Sequence, residues 1–179
     1  GQPGAVVNGQ NAYTSWAVVM PVREPDGSLR LAPALLPRNT DTQAAPLPLT
    51  RANLLRQAFK FLGERYGWGH NYEGRDCSGF VAEVYRSLGV ELPRNTGDQA
   101  RSPVLANRIV FRPDEGREAR ERALAGVQAG DLLYIPGHLM MVLGRVDGRL
   151  YVIHDIEGGS WLDEGGQLHR MHLNGVSVT

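Results

Sequence analysis

The hydrophobic period of this chain changes twice, and those changes restrict its fold more than any other feature. Up to residue 49 the apolar residues come in short runs broken by proline; seven of the eleven prolines lie there. From Thr50 the period becomes 3.6, with Leu54, Leu55, Ala58, Phe59 and Leu62 on one helical face behind Thr50 as cap. A second helix is expected to begin at Asp76, where Phe80, Val81, Val84, Tyr85 and Leu88 share a face and Gly89 supplies the stop. A third, more polar helix is expected from Asp114 to about Ala125. The pattern then turns to strands over 132–135, 139–143 and 150–154, with a weaker one around 168–178 and Asp147-Gly148 as a hairpin turn. Helices first and an antiparallel sheet second make the class α+β.

Before Thr50, Trp16–Val22 is apolar and β-prone, Glu24-Pro25-Asp26-Gly27 has turn chemistry, and Ser28–Ala32 alternates polar with apolar. That is a hairpin by pattern. The run Pro37 to Pro48 reads as an extended linker, because prolines and small residues break both periods. The organisation expected is therefore a β segment over 1–49 and a helix-and-sheet domain over 50–179. So few strands do not complete a domain, so the chain is expected to be part of a longer protein.

Charge narrows the partners. Nineteen basic residues balance nineteen acidic ones, which argues against nucleic acid, whose phosphates call for a basic surplus. No apolar run approaches the roughly 18 residues of a membrane span. Nothing in the sequence calls for a cofactor. The chain has one cysteine, Cys77, so no intrachain disulfide can form and packing must supply stability.

A lone cysteine is a small buried hydrophobe or a nucleophile. Cys77 stands at the first turn of the second helix, behind Asp76 as cap, where unpaired N–H groups and the positive end of the helix dipole favour a thiolate. The apolar stripe starts three residues later at Phe80, and Ser78 and Gly79 are small, so the thiol is expected to be accessible. A nucleophile needs a base, and five histidines are available. His138 opens an apolar strand after Pro136-Gly137, and His154 ends the next one, so a hairpin can bring the two together. A Cys–His pair oriented by a third polar group is the general triad arrangement. A zinc site is the weaker rival, since one cysteine and scattered histidines lack ligand spacing. His169 and His172 read as solvated.

From about Leu54 to Glu157 the chain resembles the NlpC-type papain-like cysteine peptidases of bacterial cell-wall turnover. The resemblance rests on Tyr66-Gly67-Trp68-Gly69, Asp76-Cys77-Ser78-Gly79-Phe80, Leu92-Pro93-Arg94-Asn95-Thr96 with Gln99, Gly130-Asp131-Leu132, Gly137-His138 and Val152-Ile153-His154. Cysteine before histidine sets aside the permuted relatives. The resemblance implies a papain-like fold with Cys77 as nucleophile, His138 as base and His154 as the residue that orients it. It places Tyr66 beside the cysteine, with Trp68, Asp76 and Ser78 also at the substrate. It implies cleavage of the bond between γ-D-glutamate and a diamino acid in peptidoglycan peptides, on the periplasmic or cell-wall side or on imported fragments in the cytoplasm. Residues 1–49 resemble part of a bacterial SH3-like barrel. Relatives with such a barrel often require a free N-terminal L-alanine, whose ammonium the aspartate before the cysteine helps to hold, here Asp76. Two features depart from the family: the aromatic loop ends in His70 where glycine is common, and Arg101–Gln128 is longer than the minimal core and is expected to line or cover the cleft. A catalytically silent cell-wall-binding module and a Cys–His amidase or acyltransferase remain the alternatives.

Overall fold

Which polar groups can be paired without water decides where the sheet and helices of this chain lie. The computed structural model describes residues 13–103, 107–163 and 165–179, together with the backbone of two short strands before them. The chain separates into two units, Gly1–Ala45 and Pro46–Thr179. In the first, β1 (Val6–Val7) pairs with β2 (Gln10–Asn11), and β3 (Ser15–Arg23) pairs antiparallel with β4 (Leu29–Pro37) in unbroken register. The turn between β3 and β4 is closed by Asp26, whose carboxylate accepts from the N–H and hydroxyl of Ser28 at 2.9 and 2.7 Å. The hairpin read from the sequence is present, with both strands longer than expected. The boundary falls at Pro46 because Leu47 already belongs to the second unit: its N–H donates to Ser87 O at 2.9 Å and its side chain packs on the core.

The second unit holds α1 (Arg51–Lys60), α2 (Cys77–Arg86), α3 (Thr96–Arg101), α4 (Arg117–Ala125) and a four-stranded antiparallel sheet. The sheet runs in the order β5 (Leu132–Ile135), β6 (His138–Val146), β7 (Arg149–Leu162), β8 (Leu168–Val178). Helices α1 and α2 pack together, and α2 packs on β6 and β7. Leu54, Ala58, Phe80, Val81 and Val84 from the helices meet Leu139, Met141, Ile153 and Val176 from the strands. Burying apolar side chains of this size is worth about 1.5–3 kcal/mol each, so this layer carries the unit's stability.

Two expectations change. Phe59 and Leu62 are exposed rather than core: within α1 the buried line is Leu54 and Ala58, which leaves Phe59 off it, and Leu62 lies past the helix end at Lys60, where Gly63 turns the chain at φ +84°. Phe61 is instead turned inward and meets Phe80 edge-on at 5.6 Å between ring centroids. Helix α4 begins at Arg117, not Asp114, and lies at the far end of the sheet: Arg145 Nη2 donates to Leu124 O at 2.9 Å. Arg145 is seven residues along β6 from His138, about 23 Å at the rise of a strand. The helical part of the long 101–128 segment therefore does not cover the histidines.

Candidate active site

Asp76 caps α2, its Oδ1 accepting from Gly79 N–H at 2.9 Å, and this places Cys77 at the first helical position. The cap does more than end the helix. Arg94 forks onto the same carboxylate (Nη2 to Oδ2 2.7 Å, Nη1 to Oδ1 3.0 Å), Ser78 Oγ donates to Oδ1 at 3.1 Å, and Gly69 N–H donates to Oδ2 at 3.1 Å. Five hydrogen bonds occupy the lone pairs of one carboxylate. Burial alone pushes Asp76 up, but Arg94, the Gly79 N–H and Ser78 outweigh it and hold the carboxyl below its usual range. The expected role of Asp76 in holding a substrate ammonium meets this geometry directly: its oxygens are already filled.

Gln99, fully buried, ties the segment before α3 to the first turn of α2 by donating to Ser78 O at 3.1 Å and Pro93 O at 2.8 Å. That clamp sets Thr96 against the cysteine, Oγ1 to Sγ 3.6 Å. Cys77 is not accessible as expected: it is a free thiol only 7% exposed. Small neighbours at positions 78 and 79 do not expose it: Arg94 and Gln99 bond to Ser78, and the His70 imidazole lies over Gly79. Thr96 is its hydrogen-bond partner among the described residues, and Cys77 and His138 are not bonded to one another.

The loop before the helix is pinched at its base. Gly67 N–H donates to Arg75 O at 2.6 Å, and a Cβ on Gly67 would lie 2.2 Å from Asn71 O and 2.9 Å from the Cα of Gly74, a contact only glycine permits. The loop between them carries His70, Tyr72 and Glu73 at φ 68°, 56° and 59°, left-handed backbone that non-glycine residues rarely adopt. His70 uses that turn to lay its imidazole on α2, where its Nε2 fills the space a Cβ of Gly79 would need. Trp68 points outward and is 74% exposed. Tyr66, half-buried, is pushed up to about 12 by burial first and then by the charges of Cys77, Asp76, Asp155 and Glu157.

Across the sheet, His138 Nε2 and His154 Nδ1 meet at 2.8 Å, and His154 Nε2 meets Thr179 Oγ1 at 3.3 Å. Either ring can donate in this contact; in the tautomer with His138 protonated on Nε2, its Nδ1 is an acceptor and His154 Nε2–H donates to Thr179 Oγ1. Burial lowers His138, and burial together with His138 lowers His154 to about 4, so both rings are neutral at pH 7.

The sequence reading missed Asp155. Strand alternation turns it away from His154 to the face of Ile153, fully buried, with neither carboxyl oxygen bonded among the described residues. Burial first, then Asp76 and Glu64, raise it to about 7, and Arg75 opposes only weakly because Glu64 and Glu83 hold its guanidinium at 2.6 and 2.7 Å. Among the described residues no group of His, Cys, Asp and Glu is arranged to hold a metal ion.

The NlpC/P60 family model matches residues 63–178. Dipeptidyl-peptidase 6 of Lysinibacillus sphaericus is 32% identical over 128 residues, 69% of this chain and 41% of that protein. Gamma-D-glutamyl-L-lysine dipeptidyl-peptidase of Bacillus cereus is 30% identical over 93 residues, 47% of this chain and 28% of that one. This chain thus spans less than half the length of either relative. Among solved structures, an NlpC/P60 endopeptidase from Photobacterium damselae subsp. piscicida superposes with a TM-score of 0.68 at 19% identity, over 91% of this chain and 38% of that one. An NlpC/P60 family protein from Bacillus cereus superposes at 0.51 and 24% identity, over 92% of this chain and 47% of that one; both likenesses establish the fold. The chain belongs to the NlpC/P60 family, whose members are cysteine peptidases.

Proposed function

We propose that this NlpC/P60 chain hydrolyses peptides of peptidoglycan at the bond between γ-D-glutamate and a diamino acid, with Cys77 as nucleophile, His138 as base and His154 as the residue that orients it. The observation that carries the reading is the 2.8 Å contact between two half-buried or buried imidazoles. Packing alone gives no reason to spend two histidines on one another, whereas a base whose second nitrogen is held by a neighbour has a defined acceptor. The names of the relatives, a dipeptidyl-peptidase and a γ-D-glutamyl-L-lysine dipeptidyl-peptidase, support the substrate class.

In this reading the Sγ proton passes to His138 Nδ1 as sulfur attacks the carbonyl carbon. The imidazolium then returns that proton to the departing amine, leaving a thioester, and a water activated by the same imidazole releases the acid and the free thiol. The lowered His138 suits the first step, because the ring is unprotonated at pH 7 and ready to accept. Tyr66, Ser78 and Trp68 remain the proposed substrate contacts, Trp68 from the exposed rim. The enzyme is placed on the periplasmic or cell-wall side, or on imported fragments. A preference for a free N-terminal L-alanine belongs to the same reading, with Asp76 as the proposed partner of its ammonium, which would have to replace one of the five hydrogen bonds that carboxylate accepts.

The test is product identification by mass spectrometry on the tripeptide L-Ala-γ-D-Glu-diamino acid. Release of the dipeptide L-Ala-γ-D-Glu is expected, and Cys77→Ala should abolish it while keeping the fold. More than a few per cent of turnover in Cys77→Ala would sink the assignment, and a different scissile bond would replace it with the amidase or acyltransferase reading.

A further inference from the structure

The nucleophile is held by a side chain that the triad does not include. Thr96 stands at the first position of α3, nineteen residues beyond Cys77, and its hydroxyl lies 3.6 Å from Sγ, within reach of a hydrogen bond to sulfur. Its placement is specified from both sides. Gln99 bonds back to Ser78 O and Pro93 O, and Arg94 forks onto Asp76, so the segment is fastened to the same helical turn that carries the cysteine. Asn95, the cap of α3, makes no side-chain cap bond, so this geometry does not come from ordinary capping.

We propose that Thr96 is a catalytic residue of the reaction assigned above, donating a hydrogen bond from its hydroxyl to the Cys77 thiolate. With a neutral thiol either group can donate; once the proton has gone to the imidazole only the hydroxyl can, and a donor that strengthens toward the anion favours it. The need for such a donor follows from the rest of the site. His138 is half-buried and His154 buried, and burial lowers both, so neither lends standing positive charge to the sulfur at pH 7. The charged and titratable groups that sense Cys77 are Arg94, already committed to Asp76, and the phenol of Tyr66, with Asp76 next to it in the chain. Beyond the N–H groups of α2, Thr96 is the side-chain donor in contact with sulfur among the described residues. It exchanges no proton: the hydroxyl keeps its hydrogen through attack and thioester formation.

The proposal rests on Cys77 being the nucleophile, and the experiment separates the two. Because the chain has one cysteine, iodoacetamide labelling reports on Cys77 alone. Alkylation rate against pH is measured for the parent, Thr96→Val, which keeps the shape without the donor, and Thr96→Ser, which keeps the donor; circular dichroism confirms that each is folded. The Val variant is expected to shift the profile to higher pH, with alkylation near pH 7 down about tenfold, and to lower kcat with KM little changed. The Ser variant is expected to restore both. An unshifted profile in Thr96→Val overturns the proposal, as does a Ser variant no better than Val. If the Val variant does not fold, Thr96→Ala takes its place against the parent and Thr96→Ser, read by the same criteria. Activity surviving in Cys77→Ala would instead overturn the assignment beneath it, whatever the labelling shows.

Discussion

The two sides of the candidate site treat charge in opposite ways. At the start of α2, Asp76 is a carboxylate with five hydrogen bonds and a forked arginine, and its partner segment is clamped by Gln99. On β7, His154 and Asp155 are buried side by side in sequence with few partners, and each is pushed toward its neutral form. One side fixes a position with paired charges; the other keeps charge out. A general base that must accept a proton and return it is served by the second environment, and a nucleophile that must not drift is served by the first.

The strongest way to break that division is to remove the base. His138→Ala is expected to lower turnover by about 10²- to 10⁴-fold, the usual share of general acid–base catalysis. His154→Ala should cost less, because His138 remains and loses only the neighbour that fixes its tautomer. Steady-state kinetics on the tripeptide decide it, and a His154 variant as impaired as the His138 variant would mean that the rings exchange roles.

Stability against pH probes the dry side next. The folded state raises Asp155 from 3.8 to about 7, so it binds the proton more tightly than the unfolded chain does, and its contribution to stability falls as pH climbs from about 4 to 7. His154 runs the other way: lowered from 6.5 to about 4, it contributes stability at neutral pH that is lost as pH falls through 6.5 toward 4. The two slopes oppose one another over nearly the same window, so the parent should show a shallow dependence there. Asp155→Asn removes one of them. Urea unfolding of that variant is expected to show a gain of about 2–4 kcal/mol at pH 8, little change at pH 4, and stability now rising steadily between. A variant that parallels the parent at every pH would show that Asp155 finds a partner when folded.

The paired side is tested by Arg94→Gln. It leaves Asp76 capping the helix but without its cation, and a loss of about 1–3 kcal/mol is expected at pH 7, less than for a fully buried pair because Arg94 is partly exposed. The sign follows from the lowered Asp76: its contribution is present above pH 4 and disappears as the carboxyl is protonated, so the deficit should vanish in acid. A deficit that persists at low pH would assign Arg94 a packing role instead.

How much of this was legible in the sequence depends on how far apart the meeting residues are. Thr50 and Asp76 as caps, and Cys77 behind the second, could be read because a cap and its helix are contiguous. His138 and His154 could be paired because a hairpin joins their strands, although β7 runs on to Leu162 and leaves His154 inside the strand rather than at its end. The pairing of β6 with β7 could be anticipated from one hairpin signal, Asp147-Gly148, whose φ of 50° and 78° suits a tight turn, but not the register shift between Val142 and Gly144. Thr96 could not, since its contact with sulfur crosses nineteen residues and depends on a six-residue helix too short to show a period. Asp155 was equally hidden, because an aspartate after a histidine looks the same whether a strand turns it to solvent or to Ile153. Phe59 was given the place of Phe61 because a hydrophobic period marks a broad face and not which line along it, here Leu54 and Ala58, meets the core.

The smallest effect expected concerns the substrate's amino end. An ammonium bound by Asp76 would have to displace Arg94, Ser78 Oγ or a backbone N–H, each already within hydrogen-bond distance of the carboxylate. Exchanging one charge-assisted bond for another leaves little net gain, so acetylating the tripeptide's N-terminus is expected to lower kcat/KM by less than about tenfold through this residue, under about 1.4 kcal/mol. Asp76 itself is a poor probe, since its removal uncaps α2. Arg94→Gln is the better one, because it frees two lone pairs while keeping the cap: if Asp76 can take an ammonium at all, the ratio of free to acetylated substrate should widen in that variant. A ratio unchanged from the parent would leave Asp76 outside amine recognition and confine it to holding Cys77, which is the task its five bonds already describe.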